Sequence, residues 1–200
     1  ATFCDLGGNL WVGYRNAGVQ IISQNRIAYK KANANALSDK TKGISILTMA
    51  TVGRHVLVGT ALRVFAYDEK NSRLEQTLFR DLFDSLPKPH QINLNNMVGY
   101  DDEHLWLVSE HQVLSCRINN ERIEVLAKSP LFKSVLGQGL KAGNHLYVSS
   151  EKGRLLRFEF GKPQPEIIRI PSPYFNYETK LAKLSDENIL LFMSGMHLAI

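Results

Sequence analysis

The side chains of this chain with the greatest chemical capacity are few, and their spacing argues against most catalytic uses. His55, His104 and His145 occupy one position of a repeating pattern, with Asn9 and Asn188 at the same place in two further copies. Metal ligands must converge on a point, whereas residues at one repeat position are spread around a ring, so no metal site is expected from them. Asp101-Asp102-Glu103 is a carboxylate triple. A glycosidase needs two carboxylates facing each other across roughly 5–10 Å of cleft, and three neighbours in one turn read instead as a solvated turn. Ser149-Ser150-Glu151-Lys152 matches S-x-x-K, but it runs across a strand and a turn and lacks companion motifs. The sequence contains no G-x-S-x-G, no H-E-x-x-H, no phosphate-binding G-x-x-x-x-G-K-S/T and no EF-hand loop. The two cysteines, Cys4 and Cys116, have no C-x-x-C spacing and fall in different repeats. A bridge between them, a zinc site and a redox centre are therefore all unexpected. The expectation is a non-catalytic segment without cofactor or metal.

The elements that would position any functional group come from an internal repeat. Five copies carry a turn, a polar residue, an apolar or alternating run and a small residue. Their central residues, Trp11, Leu57, Trp106, Tyr147 and Leu190, stand 46, 49, 41 and 43 residues apart. Helical solenoids share such periods, so the local pattern decides, and it is β. Each anchor strand is followed by a tight turn and a second alternating strand: Val19–Ser23, 63–67, Val113–Arg117 and 154–158. A further strand follows at 26–29, 73–78, 121–126 and 166–170, and an apolar stretch precedes each anchor at 44–50, 92–100, 136–142 and 179–185. Four antiparallel strands per period make one blade of an all-β propeller. Anchors that recur by position are expected in the core between blades.

Thr2–Asp5 reads as the end of an innermost strand, and His197–Ile200 as a third strand without its fourth. The count is about four and a half blades, expected to belong to a larger, seven-bladed propeller whose remainder lies in the same protein. The alternative is a five-bladed ring closed by the two half-blades. Its defect is that Thr2–Asp5 duplicates the inner strand supplied by 179–185. The long connections, 28–43, 79–91, 127–135 and 171–180, open on the same face as the second-to-third-strand turns. A helical turn is expected at 79–86, ended by Pro87.

Composition fits a globular chain of 200 residues with 44% hydrophobic and 22% charged residues, long enough for a sizeable core. Net charge is +5, but the basic residues are scattered among 19 acidic ones. Nucleic-acid binding needs a basic stripe and is not expected. No apolar run approaches the roughly 18 residues of a membrane span, so no membrane insertion by this segment is expected. Residues 1–5 lack the basic start and apolar stretch of a signal peptide, which leaves secretion open.

Asp5-Leu6-Gly7-Gly8-Asn9-Leu10-Trp11-Val12-Gly13-Tyr14, followed by Ala17-Gly18-Val19, resembles the two-component regulator propeller repeat, D-x-x-G-N-L-W-I-G-T with a glycine-rich turn. Tyr100–Val108 is a weaker copy without the second glycine, and 53–60 keeps the Val-Gly-Thr end but loses the tryptophan. The resemblance implies the periplasmic region of a hybrid two-component sensor, in which two propellers and a β-sandwich precede a membrane helix and a histidine kinase. Such sensors respond to glycan fragments and work as homodimers. The family offers no short ligand motif to carry onto numbered positions.

If an oligosaccharide or another polar ligand binds, the loop face is the place for it. The candidates there are Arg15, Asn16, His90, Gln91, His111, Glu151, Lys152, Tyr174 and Tyr177. Arg and Lys pair with carboxylate or sulfate, and tyrosine stacks on the apolar face of a sugar. Three functions stay open: a periplasmic glycan-sensor segment, a protein-binding propeller, and a lyase or glycosidase built on a propeller. The second predicts an apolar patch on the loop face, and the third predicts convergent carboxylates in the central pocket.

Overall fold

A computed structural model of the chain describes residues 2–4, 9–14, 18–23, 26–32, 46–53, 55–60, 64–68, 73–75, 94–119, 122–151, 153–171, 178–186, 188–193 and 196–199. Blade 1 holds β1 (Thr2–Cys4), β2 (Leu10–Tyr14), β3 (Gly18–Ser23) and β4 (Arg26–Ala32). Blade 2 holds β5 (Ile46–Val52), β6 (His55–Thr60), β7 (Val64–Asp68) and β8 (Arg73–Glu75). Blade 3 holds β9 (Leu94–Gly99), β10 (His104–Ser109), β11 (Val113–Asn119) and β12 (Arg122–Lys128). Blade 4 holds β13 (Leu136–Ala142), β14 (His145–Ser150), β15 (Arg154–Glu159) and β16 (Glu166–Arg169). Blade 5 shows three strands among the described residues: β17 (Lys180–Lys183), β18 (Ile189–Met193) and β19 (Met196–Ala199). Within every sheet the strands pair in sequence order and antiparallel, so each blade is a meander.

The strand chemistry follows from where each strand sits. β10 is apolar on both faces because both faces are covered. Leu105 and Leu107 join the blade 2 residues Leu57, Val64 and Ala50 in one cluster, whereas Trp106 and Val108 join Leu146, Val148, Leu156 and Phe158 of blade 4 in another. Outermost β12 instead alternates exposed Arg122, Glu124, Leu126 and Lys128 with half-buried Ile123, Val125 and Ala127, as a strand at the rim must. The first strands β5, β9, β13 and β17 lie side by side in succession, and β1 lies next to β5. That adjacency puts five sheets around an axis. Between blades 2 and 3 the approach is close enough that a Cβ at Gly99 would lie 2.5 Å from the Thr51 carbonyl oxygen, so only glycine fits there.

The anchors behave as the repeat predicts, with one gradation. Trp11 packs on blade 2, Leu57 on blade 3, Trp106 on blade 4 and Tyr147 on blade 5. Trp11, Leu57 and Trp106 are buried, while Tyr147 and Leu190 are half-buried. Leu190 points away from blade 4, and no described blade follows it. Several boundaries differ from the sequence reading, and two of them have a visible cause. β4 runs on to Ala32 because Lys31 and Ala32 pair with Gln20 and Val19 past a bulge in β3, so its ladder takes up part of the expected connection. β17 ends at Lys183, where the Ser185 side chain and Asn188 close the turn. The helical turn expected at 79–86 lies outside the described residues.

Candidate functional site

Antiparallel order inside each blade puts the leading end of its first strand beside the turn between its second and third strands. At that end of the axis lies a cavity of about 800 Å³. Its walls come from all five blades: Thr2 of β1; Leu47, Thr48 and Met49 of β5; Asn95 and Asn96 of β9; Leu136, Gly137 and Gln138 of β13; and Lys180 of β17. Val135, Glu178 and, from the β10–β11 turn, Glu110 complete it. A smaller cavity of about 320 Å³ occupies the other half of the axis, lined by Cys4, Thr51, Met97, Gly99, Lys141 and neighbouring residues. Asn96 lines both.

Hydrogen bonds between blades hold the mouth in shape. Asn95 Nδ2 donates to the Leu136 carbonyl at 2.9 Å, tying blade 3 to blade 4. The Met97 amide donates to Thr48 Oγ1 at 2.9 Å, tying blade 3 to blade 2. Ser149 Oγ donates to the Thr179 carbonyl at 3.2 Å, tying blade 4 to blade 5 beside Glu178. The β10–β11 turn is clamped from both sides. Ser109 Oγ donates to the Gln112 carbonyl and accepts from its amide, both at 2.9 Å. The Glu110 and His111 carbonyls accept from the Leu136 and Phe132 amides at 2.7 and 2.8 Å. Gln112 Nε2 reaches the Ser129 carbonyl at 2.7 Å. Loops pinned in this way present side chains without paying much ordering entropy on binding.

The lining offers amides (Asn95, Asn96, Gln138), hydroxyls (Thr2, Thr48), two carboxylates (Glu110, Glu178) and one ammonium (Lys180). Its formal charge is about −1, in a chain whose net charge is +5. Asn96 Oδ1 is buried and has no hydrogen-bond partner among the described residues. Such an acceptor gains when a ligand hydroxyl or amide supplies the missing donor. No histidine, cysteine or serine lines the larger cavity among the described residues. Among the described residues no group of three or more His, Cys, Asp or Glu converges as metal ligands would, and no helix is long and apolar enough to cross a membrane.

Of the residues singled out from sequence, two are described. His111 sits in the clamped β10–β11 turn, half-buried, and its neighbour Glu110, not His111, reaches the cavity. Glu151 is half-buried in the β14–β15 turn, away from the cavity, where its carbonyl accepts from Arg154 Nε at 3.3 Å. Arg154 also donates to Ser134 Oγ at 3.2 Å, which is in turn hydrogen-bonded to Ser150 Oγ at 3.0 Å. Arg15, Asn16, His90, Gln91, Lys152, Tyr174 and Tyr177 lie outside the described residues. The sequence reading passed over Glu110, Glu178, Lys180, Asn95, Asn96 and Gln138. Their common signal is position: each of them except Glu110 sits at or just before the leading end of a first strand, and Glu110 sits in a second-to-third-strand turn.

The other chemically capable groups are structural. Asp101 accepts from the Glu103 and His104 amides at 2.9 Å and pairs with His104 Nδ1 at 2.8 Å. Partial burial pushes its carboxyl up, but these hydrogen bonds and the nearby histidine outweigh that and hold it below the ordinary carboxylate value. The carboxylate triple thus closes a turn on the far face. Burial pushes the Cys116 thiol well above its usual range, which removes it from thiolate chemistry.

Comparison with known proteins places the fold and nothing finer. No protein-family model matches the chain, and no curated protein matches it in sequence. Solved propellers do match in shape. The chain has the β-propeller fold. The WD40 β-propeller domain of Doa1 is similar over 99% of this chain and 61% of its own, with a TM-score of 0.68 at 11% identity. The β-propeller domain of Myceliophteria thermophila Swd1 matches over 96% of this chain and 60% of its own, with a TM-score of 0.66 at 14% identity. The computationally designed Ika8 protein matches over all of this chain and 57% of its own, with a TM-score of 0.66 at 12% identity. The chain therefore spans about three-fifths of the length of these propellers.

Proposed function

We propose that this propeller is a non-catalytic binding module that takes a hydroxyl-rich polar ligand, of the glycan-fragment class, at the axial mouth. One observation carries the reading: amides, hydroxyls and both charge signs, brought from five blades, line a cavity of about 800 Å³, and the lining includes Asn96, whose buried side-chain oxygen has no hydrogen-bond partner among the described residues. Sugars are recognised by fans of such donors and acceptors, whose unmet bonds reject ligands lacking the matching hydroxyl. The volume also falls in the usual range for small-ligand sites. The resemblance carried by residues 5–14 and 17–19 adds the setting, an extracytoplasmic sensor of a two-component system working as a homodimer. Its signalling chemistry would reside elsewhere in the protein.

The test is a thermal-shift series against neutral and acidic oligosaccharides. A ligand at about 100 times its Kd stabilises the folded state by roughly 2.7 kcal/mol, a shift of several degrees. Gln138→Ala and Glu110→Ala should each abolish that shift while leaving the ligand-free melting temperature within about a degree. A shift that survives both variants places the ligand elsewhere, and no shift with any oligosaccharide rejects the class.

A second reading, a protein-binding platform, is favoured by Leu47 and Leu131, which are exposed on the same loop face. Large apolar side chains grouped on a binding face suit a protein partner. Leu131→Asp would then weaken capture of the partner without touching the oligosaccharide shift. Glu110 and Glu178 both reach the cavity, so the shift-positive oligosaccharide is also to be assayed for turnover. The proposal expects it to be recovered intact.

A further inference from the structure

Three blade junctions share one design, and that design exposes a further surface. In blades 2, 3 and 4 the residue before the anchor pairs across to the third strand and faces the preceding blade. The pairs are Val56 with Tyr67, Leu105 with Cys116, and Leu146 with Phe158. Each is roofed by the preceding blade's anchor. Trp11 meets Tyr67 at 4.9 Å edge-on, Leu57 shares a cluster with Leu105 and Cys116, and Trp106 shares one with Leu146 and Phe158. Leu105, Cys116, Leu146 and Phe158 are accordingly at most 1% exposed, and Tyr67 is 9% exposed. The equivalent pair in blade 1 is Leu10 with Ile22. Leu10 is 40% exposed and Ile22 38%. Cys4 pairs with Leu10 in the same register, so it lies on the same sheet face, and it too is exposed. Blade 5 does not cover this row, because the row is open with blade 5 in place.

We propose that the Cys4–Leu10–Ile22 face of blade 1 is an intramolecular docking surface, covered by a further four-stranded blade of the same polypeptide that presents a bulky apolar anchor like Trp11 or Trp106. Two observations identify the occupant. The row occupies the same repeat positions that are roofed by a blade at the junctions of blades 1 and 2, 2 and 3, and 3 and 4, so the cover it suits is another blade. Three of the solved propellers of matching shape are also longer than this chain, which spans 57% to 61% of them, although the designed Ika4 protein, matched over 93% of its own length, is not. The inference is independent of what the axial mouth binds.

Cys4 makes the face measurable. The full-length polypeptide is treated with N-ethylmaleimide, and modification at Cys4 is followed by peptide mass spectrometry. Leu131→Cys, placed on an exposed connection, serves as the open control. Cys4 should react at least about 100-fold more slowly than Leu131→Cys, at a rate independent of protein concentration. Leu10→Asp should raise the Cys4 rate at least about tenfold and leave the control rate unchanged. Cys4 reacting as fast as the control overturns the proposal. So does protection that fades on dilution in step with a halving of mass by light scattering, since the cover would then be a second copy.

Discussion

The junction between blades 3 and 4 and the junction between blades 4 and 5 use the same repeat positions and different materials. At the first, the Trp106 anchor is fully buried. Phe160 stacks on Tyr100 at 4.4 Å and meets Trp106 edge-on at 5.2 Å, and Lys141 lies 5.0 Å over the Tyr100 ring while its ammonium also donates to the Tyr100 carbonyl. At the second, Tyr147 is half-buried, and Leu155, Ile170, Leu181, Ile189 and Leu191 supply an aliphatic filling. The first-strand residue opposite also changes. Leu181 pairs with Leu191, whereas the matching residue in blade 4, paired with Val148, is Gly139. The space beside Gly139 is already taken, because a Cβ there would lie 3.0–3.1 Å from Val108, Asn96 and Leu146. What each junction conserves is filled volume, at near-crystalline density, and not a residue type. Degenerate repeats can therefore stack on good ones.

The difference should be largest at the anchors. Trp106→Ala is expected to cost about 3–5 kcal/mol by urea unfolding, because it empties a fully enclosed site. Tyr147→Ala should cost about 2 kcal/mol, since part of that ring already faces water. Equal costs would remove the distinction between the two junctions. Next comes Gly139→Leu, which gives blade 4 the blade 5 residue. Overpacking predicts a loss of about 1–3 kcal/mol, and a neutral result would mean that the first junction has slack. Lys141→Met should cost only about 0.5–1 kcal/mol, the scale of one partly exposed cation–π contact.

The smallest effect concerns Asp101 and pH. Its carboxyl is held below the ordinary 3.8 in the folded chain. A depressed value means that its stabilisation is complete above 3.8 and is lost as pH falls through the folded value. Asp101→Asn should therefore lower the unfolding midpoint slightly at neutral pH, and the difference should shrink as pH falls through the folded value. A difference that grows towards acid would reverse the sign and contradict the assignment. The group is about half exposed, so solvent screening keeps the effect small.

Much of the fold was legible because it is written locally and repeated. The spacing of Trp11, Leu57, Trp106, Tyr147 and Leu190, with alternation in strands such as Val113–Asn119 and turn residues such as Gly153, is enough to specify four-stranded blades. The axial site was not legible in the same way. Asn95, Gln138 and Lys180 are ordinary polar residues in sequence, and only ring geometry brings residues from different blades to one mouth. In the β10–β11 turn the sequence pointed to His111, and the structure turns Glu110 inward instead. A one-residue offset of that kind follows from backbone direction at a turn, which residue type does not report. The half-buried state of Tyr147 was equally hidden, since it depends on how far blade 5 covers it.

The account rests on side chains from consecutive blades meeting face to face, and a double-mutant cycle reads that contact directly. Trp106 belongs to blade 3 and Phe160 to the end of blade 4. Unfolding free energies of wild type, Trp106→Leu, Phe160→Leu and the double variant should give a coupling of about 0.5–1.5 kcal/mol, as expected of an aromatic pair in contact. Losses that add to within about 0.3 kcal/mol would mean that the two rings do not touch and that the blades are not stacked as described.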